Sequence, residues 1–180
     1  MKRKLLAASA AVAALAIAGR GSDSDDSASS GPEPAGNGAD RAFVADMIPH
    51  HQSAVDMAKI AEKRGQSPFV KRLAADIIRT QNEEITVMRS EDGELADAGI
   101  EKGDLGVGHS MMGMENDAAA LEDANPFDRA FIDMMIPHHE GAVTMAEAEL
   151  AKGKDPELRR LAEDMIEAQQ REIADMRREQ

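Results

Sequence analysis

The chain of 180 residues has no cysteine, no tryptophan, no tyrosine and only four phenylalanines. Without a thiol it can build no disulfide scaffold, thiolate zinc site, iron–sulfur cluster or cysteine nucleophile. The shortage of aromatic residues argues against a sheet, whose strands draw on β-branched and aromatic side chains. What remains for a core is Ala, Leu, Ile, Val and twelve Met, a set that favours helices. Positive charge is scarce as well: 21 Lys and Arg stand against 34 Asp and Glu, a net charge of −13. Such a balance repels phosphate backbones and anionic lipid surfaces, so no nucleic-acid partner is expected.

Length and a hydrophobic content of 42% suit one modest domain with an appendage. Residues 1–18 read as a secretory signal peptide. Lys2, Arg3 and Lys4 give a basic start, residues 5–18 are apolar, and Ala16-Ile17-Ala18 matches a small-residue cleavage pattern. The apolar run is shorter than the roughly 20 residues that span a bilayer as a helix. Ile17-Ala18-Gly19 also resembles the end of a lipoprotein signal, but Arg20 stands where the lipid-bearing cysteine belongs, so membrane anchoring is in doubt. The expected location is extracytoplasmic: secreted, periplasmic or at the cell surface. Residues 19–39, mostly Gly, Ser, Asp, Ala, Pro and Glu, are expected to form a disordered tether.

The rest of the chain is a duplication. At an offset of 88, residues 40–89 align with 128–177 and are identical at 25 of 50 positions. Each copy opens Asp-Arg-Ala-Phe, reaches Met-Ile-Pro-His-His and Ala-Val-x-Met-Ala, and ends with Arg-Leu-Ala-x-Asp and Gln-x-x-Glu-Ile-x-x-Met-Arg. On a helical wheel Phe43, Val44, Met47, Ile48, Ala54, Val55, Ala58 and Ala61 fall in an arc of about 140°, the stripe of an amphipathic helix. Gly65 and Gly153 are placed to end a helix, and Ser67-Pro68 and Asp155-Pro156 supply an N-cap with proline after it. Each copy is therefore expected to be a helical hairpin, with helices over about 40–64 and 68–90, then 128–152 and 156–178. Pro49 and Pro137 fall inside the first helix of each pair, where proline frees a carbonyl one turn earlier. The fold class is all-α: a four-helix bundle of two duplicated hairpins. The domain covers 40–180, with repeats 40–90 and 128–178 and a long, glycine-rich, mostly irregular linker over 91–127.

Four of the five histidines, His50, His51, His138 and His139, occupy repeat-equivalent places. The wheel puts His51 and His139 near the middle of the apolar arc, one turn after Met47 and Met135. It puts His50 and His138 at the arc's edge, in line with Met57 and Met145. The fifth histidine belongs to His109-Ser110-Met111-Met112-Gly113-Met114, a segment unlike an ordinary core. Imidazole nitrogen with thioether sulfur suits a soft or borderline ion, Cu(I) above all, and suits Mg²⁺ or Ca²⁺ poorly.

Blander explanations compete. Methionine at helical spacing is usually packing, and Met88, Met165 and Met176, which lack a nearby histidine, are expected to be that. His51 and His139 could bond each other or the carbonyls freed by the prolines. Recurrence of His pairs beside Met in both copies tips the balance toward metal for the helical histidines. For the linker tract, a capture site and an oxidation-prone spacer are evenly matched.

With its paired Met-Ile-Pro-His-His segments followed by Ala-Val-x-Met-Ala, the chain resembles the bacterial family called domain of unknown function 305, from Asp40 to about Arg178. The resemblance implies a ferritin-like four-helix bundle in an exported or lipid-anchored protein and, for some members, periplasmic copper binding and copper tolerance. It makes Met47, His50, His51, Met57, Met135, His138, His139 and Met145 candidate ligands, with His109, Met111, Met112 and Met114 in the linker. The leading expectation is an exported, non-catalytic protein that captures Cu(I), with Cu(II) and Ag(I) as further candidates, and buffers it or delivers it to another copper-handling protein. Two rivals stay open. A ferritin-like di-iron or di-manganese oxidase needs Glu-x-x-His, and the residues three before the histidines are Met47, Ile48, Gly106, Met135 and Ile136. A structural or sensor bundle would use the histidines only to join its halves. The sequence carries no signal for an oligomeric state.

Overall fold

The computed structural model describes residues 35–113 and 118–180. The expected signal peptide, most of the expected tether and Met114 lie outside these residues. Four helices follow in order: α1 Gly38–Arg64, α2 Pro68–Asp97, α3 Phe127–Lys152 and α4 Pro156–Arg178, with no strand among the described residues. None of these helices is long and apolar enough to cross a membrane.

The punctuation residues act where the sequence puts them. Ser67 Oγ accepts the Val70 N–H at 3.1 Å, and Asp155 Oδ1 accepts those of Glu157 and Leu158 at 2.9 and 3.0 Å. Pro68 and Pro156 open their helices, a position whose N–H would have no partner in any case. Two boundaries differ from expectation by more than one residue. The first helix starts at Gly38, ahead of Asp40, because Asn37 and Asp40 form a reciprocal capping box; residues 38 and 39 of the expected tether are therefore helical. The second helix passes Ser90 and continues through Gly93 to Asp97. Glycine costs a helix about 1 kcal/mol. Burying Leu95, 4% exposed, is worth about 1.5–3 kcal/mol, and Arg41 Nε donates to Asp92 Oδ1 at 2.9 Å.

The first two helices pack mainly on each other, as do the last two, and α1 against α3 joins the hairpins. Each hairpin also caps the other's turn. Asp40 accepts the backbone N–H groups of Lys154 and Asp155, and its repeat counterpart Asp128 accepts those of Gln66 and Ser67.

The interior is divided. One apolar core gathers Ala54 to Ala61, Val70 to Ile77, Phe127 to Ile136 and the end of α4; the other gathers Ala42 to Met47, Ile85 to Leu95, Ala142 to Ala146 and the start of α4. Between them all four helices place polar residues: His50 and His51, Gln81, His138 and His139, and Gln169, every one of them buried.

Candidate metal centre

The four helical imidazoles form a row across the middle of the bundle. His50 and His138 meet where α1 crosses α3, their ring centroids 3.8 Å apart and their planes tilted by 37°. His51 lies 6.2 Å beyond His50, and His139 lies 6.5 Å beyond His138. No ring is more than 1% exposed. The wheel put His51 and His139 near the middle of the apolar arc, and both are buried, but the middle of the row belongs to His50 and His138. The apolar arc is wide enough to serve two neighbours: its 50/138 flank faces the opposite hairpin, while its 51/139 flank faces the second helix of its own hairpin.

Those second helices supply a pair of carboxylates that the sequence reading passed over. Glu84 Oε2 lies 2.7 Å from His51 Nε2, and Glu172 Oε2 lies 2.6 Å from His139 Nε2. His50 Nε2 reaches the Met112 carbonyl at 2.8 Å. Carboxylate and carbonyl oxygens only accept, so each of these three imidazoles donates from Nε2, and in the neutral ring the lone pair is then on Nδ1. The Nδ1 atoms of His50, His51 and His139 have no hydrogen-bond partner, and neither ring nitrogen of His138 has one. Every imidazole in the row thus keeps a ring nitrogen without a partner in the buried interior. An unsatisfied buried polar atom costs about 1–3 kcal/mol, and the row carries five such ring nitrogens.

The two middle imidazoles, His50 and His138, are also driven toward the neutral form. Burial first, and then His51, lowers His50 from its ordinary 6.5 to about 3, against a smaller opposing effect of its bond to Met112. Burial, followed by the neighbouring His50, pushes His138 far lower still, although the His50 main chain lies near enough to favour the charged form slightly. Neutral imidazole is the form that ligates metals.

The methionines are shared crosswise. Met47 and Met145, one from each repeat, pack in one core with Met88, Met112 and Met165; Met57 and Met135 pack in the other with Met176. Thioethers therefore flank the imidazole row on both sides, and Met88, Met165 and Met176 sit in the core as expected.

The linker tract is a second correction. Residues His109–Met112 form a 3₁₀ turn seated on α3. Met112 is turned inward, 7% exposed, whereas Met111 is 55% exposed and His109 faces solvent. Glycine makes the seat: a Cβ on Gly141 would stand 2.1 Å from the Met112 carbonyl oxygen, and one on Gly113, whose φ is +68°, would stand 2.4 Å from that of Pro137.

Gln81 and Gln169, one turn before the two glutamates, complete the residues missed. Both are buried, and neither Oε1 has a partner. Their signal was present in the repeated Gln-x-x-Glu-Ile string, but its polarity resembles a solvated face. Among the described residues no three of His, Asp or Glu converge on a point as ligands to one ion. The donors on offer are imidazole nitrogens and neighbouring thioethers, a set that fits a soft or borderline ion. A surface cavity of about 220 Å³, lined by Phe69, Arg72, Leu73, Asp76, Glu172 and Asp175, brings solvent to the carboxylate that holds His139.

Residues 40–179 match the family described as "Domain of unknown function (DUF305)". Among solved structures the chain is similar to CopM in its Cu(I)-bound form, at 36% identity over 77% of this chain and 93% of that one, with a TM-score of 0.65. For CopM in the Cu(II)-bound form the identity is 38%, with the same coverage and a TM-score of 0.67. A DUF305 fragment from Deinococcus radiodurans matches at 32% identity, 80% of this chain, 96% of that one and a TM-score of 0.66. A stretch of 51 residues is 43% identical to "Uncharacterized protein L153" of Acanthamoeba polyphaga mimivirus, covering 28% of this chain and 34% of that protein.

Proposed function

We propose, from the premise that the chain belongs to the DUF305 family, that it is an extracytoplasmic copper-handling protein that takes Cu(I) into the imidazole row and buffers it or passes it on. The observation that carries this reading is the set of four fully buried imidazoles, each with an unpartnered ring nitrogen, between cores that contain thioethers. Similarity to CopM, solved with Cu(I), Cu(II) and silver, supports the choice of ion. Imidazole binds both copper oxidation states, while the flanking Met47, Met57, Met135 and Met145 favour Cu(I). His109 and Met111, on the outer side of the turn that covers His50, are suited to first contact with an incoming ion. The expected leader in residues 1–18 is consistent with a place outside the cytoplasm, where methionine binds Cu(I) without forming disulfides.

The test is anaerobic loading of the tag-free protein with Cu(I), beside a variant in which His50, His51, His138 and His139 are all Ala. The expected result is retention of copper by the native chain and its loss from the variant, with circular dichroism confirming that the variant is folded. Copper should also raise the melting temperature of the native chain, since an ion bound only by the folded state stabilises it. Equal retention by both proteins would overturn the proposal.

The two Glu–His bonds favour one second reading, in which the histidines only tie each hairpin together. It predicts that the quadruple variant melts lower than the native chain without metal, and that copper raises the melting temperature of neither.

A further inference from the structure

We infer that Glu84 and Glu172 are positioning residues: each locks its histidine, His51 or His139, as the Nε2–H tautomer and so keeps the Nδ1 lone pair as a buried donor for a soft cation. The inference rests on the copper reading above and assigns a role to two residues that touch no ion themselves.

The geometry is built twice, once in each hairpin. Both contacts are short, 2.7 and 2.6 Å, as expected for a hydrogen bond to a charged acceptor. Both carboxylates keep an outlet to solvent, with side chains 19% and 23% exposed, while both imidazoles are fully buried. The glutamate therefore keeps some contact with water while it holds a ring that has none. A purely structural pairing would leave each histidine with one satisfied nitrogen and one orphaned nitrogen, on both sides of the bundle. A ligand pairing uses both: the outer nitrogen is held by a carboxylate, which fixes the ring and makes the inner nitrogen a stronger donor. That division of labour is usual around metal-bound histidines, and loss of the outer partner typically weakens metal affinity 10–100-fold.

The experiment reads the tautomer directly and without metal. Two-bond ¹H–¹⁵N correlation spectra of the ¹⁵N-labelled full-length chain are recorded first alone and then with Ag(I) as the probe ion, for the native protein and for Glu84→Gln and Glu172→Gln. In the metal-free native protein His51 and His139 should both appear as Nε2–H forms, and silver should perturb their Nδ1 signals. In each Gln variant the amide can donate as well as accept, so the facing histidine should move partly or wholly to the Nδ1–H form. Competition titration with Ag(I) should show affinity reduced 10–100-fold in the double Gln variant, with the helical circular dichroism unchanged. Nδ1–H forms in the native protein would overturn the inference, as would unchanged tautomers and unchanged silver affinity in the Gln variants. A native chain with Nε2–H tautomers that takes up no silver would overturn the copper reading, and with it the donor role. That failure is distinct from failure of the tautomer assignment, which is read before any metal is added.

Discussion

The two hairpins are alike in what holds the imidazole row and unlike in what covers it. Each supplies one Glu–His bond, one aspartate that caps the opposite turn, and thioethers to both cores. Three of their differences matter here. Gly141 in the second repeat stands where the first has Ser53, buried Glu149 stands where the first has Ala61, and the Met112 carbonyl engages His50 while His138 has no such partner. A single linker can rest on only one of two equivalent faces, so it must break the twofold symmetry, and the glycine marks the chosen face. The shared residues build the centre, and the unshared ones decide how it is closed.

Unequal damage from equivalent substitutions is the first way to sharpen this contrast. Asp40 is fully buried and accepts N–H groups from Asn37, Lys154 and Asp155; Asp128 is partly exposed and accepts two. Asp40→Ala is expected to cost about 3 kcal/mol and Asp128→Ala about 1.5 kcal/mol, given the worth of hydrogen bonds to charged groups. Urea denaturation of the two variants gives the ratio, and equal losses would contradict it. Next comes Gly141→Ser, which imports the residue of the first repeat. Its Cβ meets main chain, not a flexible side-chain end, so the turn must lift, at about 1–3 kcal/mol as for overpacking. Hydrogen exchange should then quicken across residues 109–113. The reciprocal Ser53→Gly should cost no more than about 1 kcal/mol, the helix penalty of glycine.

The pH dependence carries two opposed slopes, both from buried groups. His50 and His138 have lowered values: below about 6.5 the unfolded chain binds protons that the folded one refuses, so their contribution is intact above that pH and is lost as pH falls toward 3. Glu149 is the reverse. Burial first, and then Asp40, raises it from 4.5 to about 8, so its contribution is full below 4.5 and is lost as pH rises through 8. Glu149→Gln should remove the alkaline decline in melting temperature between pH 5 and 8.5 and leave the acid decline in place. A native melting curve flat over the alkaline range would refute the assignment. The smallest effect is expected from Glu140→Gln, which copies Gln52 of the first repeat and breaks the exposed ion pair with Arg177. Surface pairs contribute about 0–1 kcal/mol, so its melting temperature should stay within a degree or two of native.

The Met-Ile-Pro-His-His strings announced four histidines near helix cores, and the cap residues announced where most helices begin and end. The centre itself was less legible. The wheel placed His51 correctly on an apolar face yet could not say which neighbour that face meets. Nothing local marks Glu84, because its partner is 33 residues away, and nothing local marks Met112 as a cover, because the ring it covers is 62 residues away.

What the amino-acid order alone determined is therefore local or repeated: an all-helical class, a doubled hairpin, N-caps followed by proline, and imidazoles beside thioethers, since propensity, periodicity and capping act within a few turns. Only the packed bundle decided that His50 faces His138, that glutamates hold the outer rings, and that methionines of the two repeats mix in each core. Those outcomes depend on how one helix lies against another, and a helix records in its own sequence how much of itself is buried but not what it is buried against.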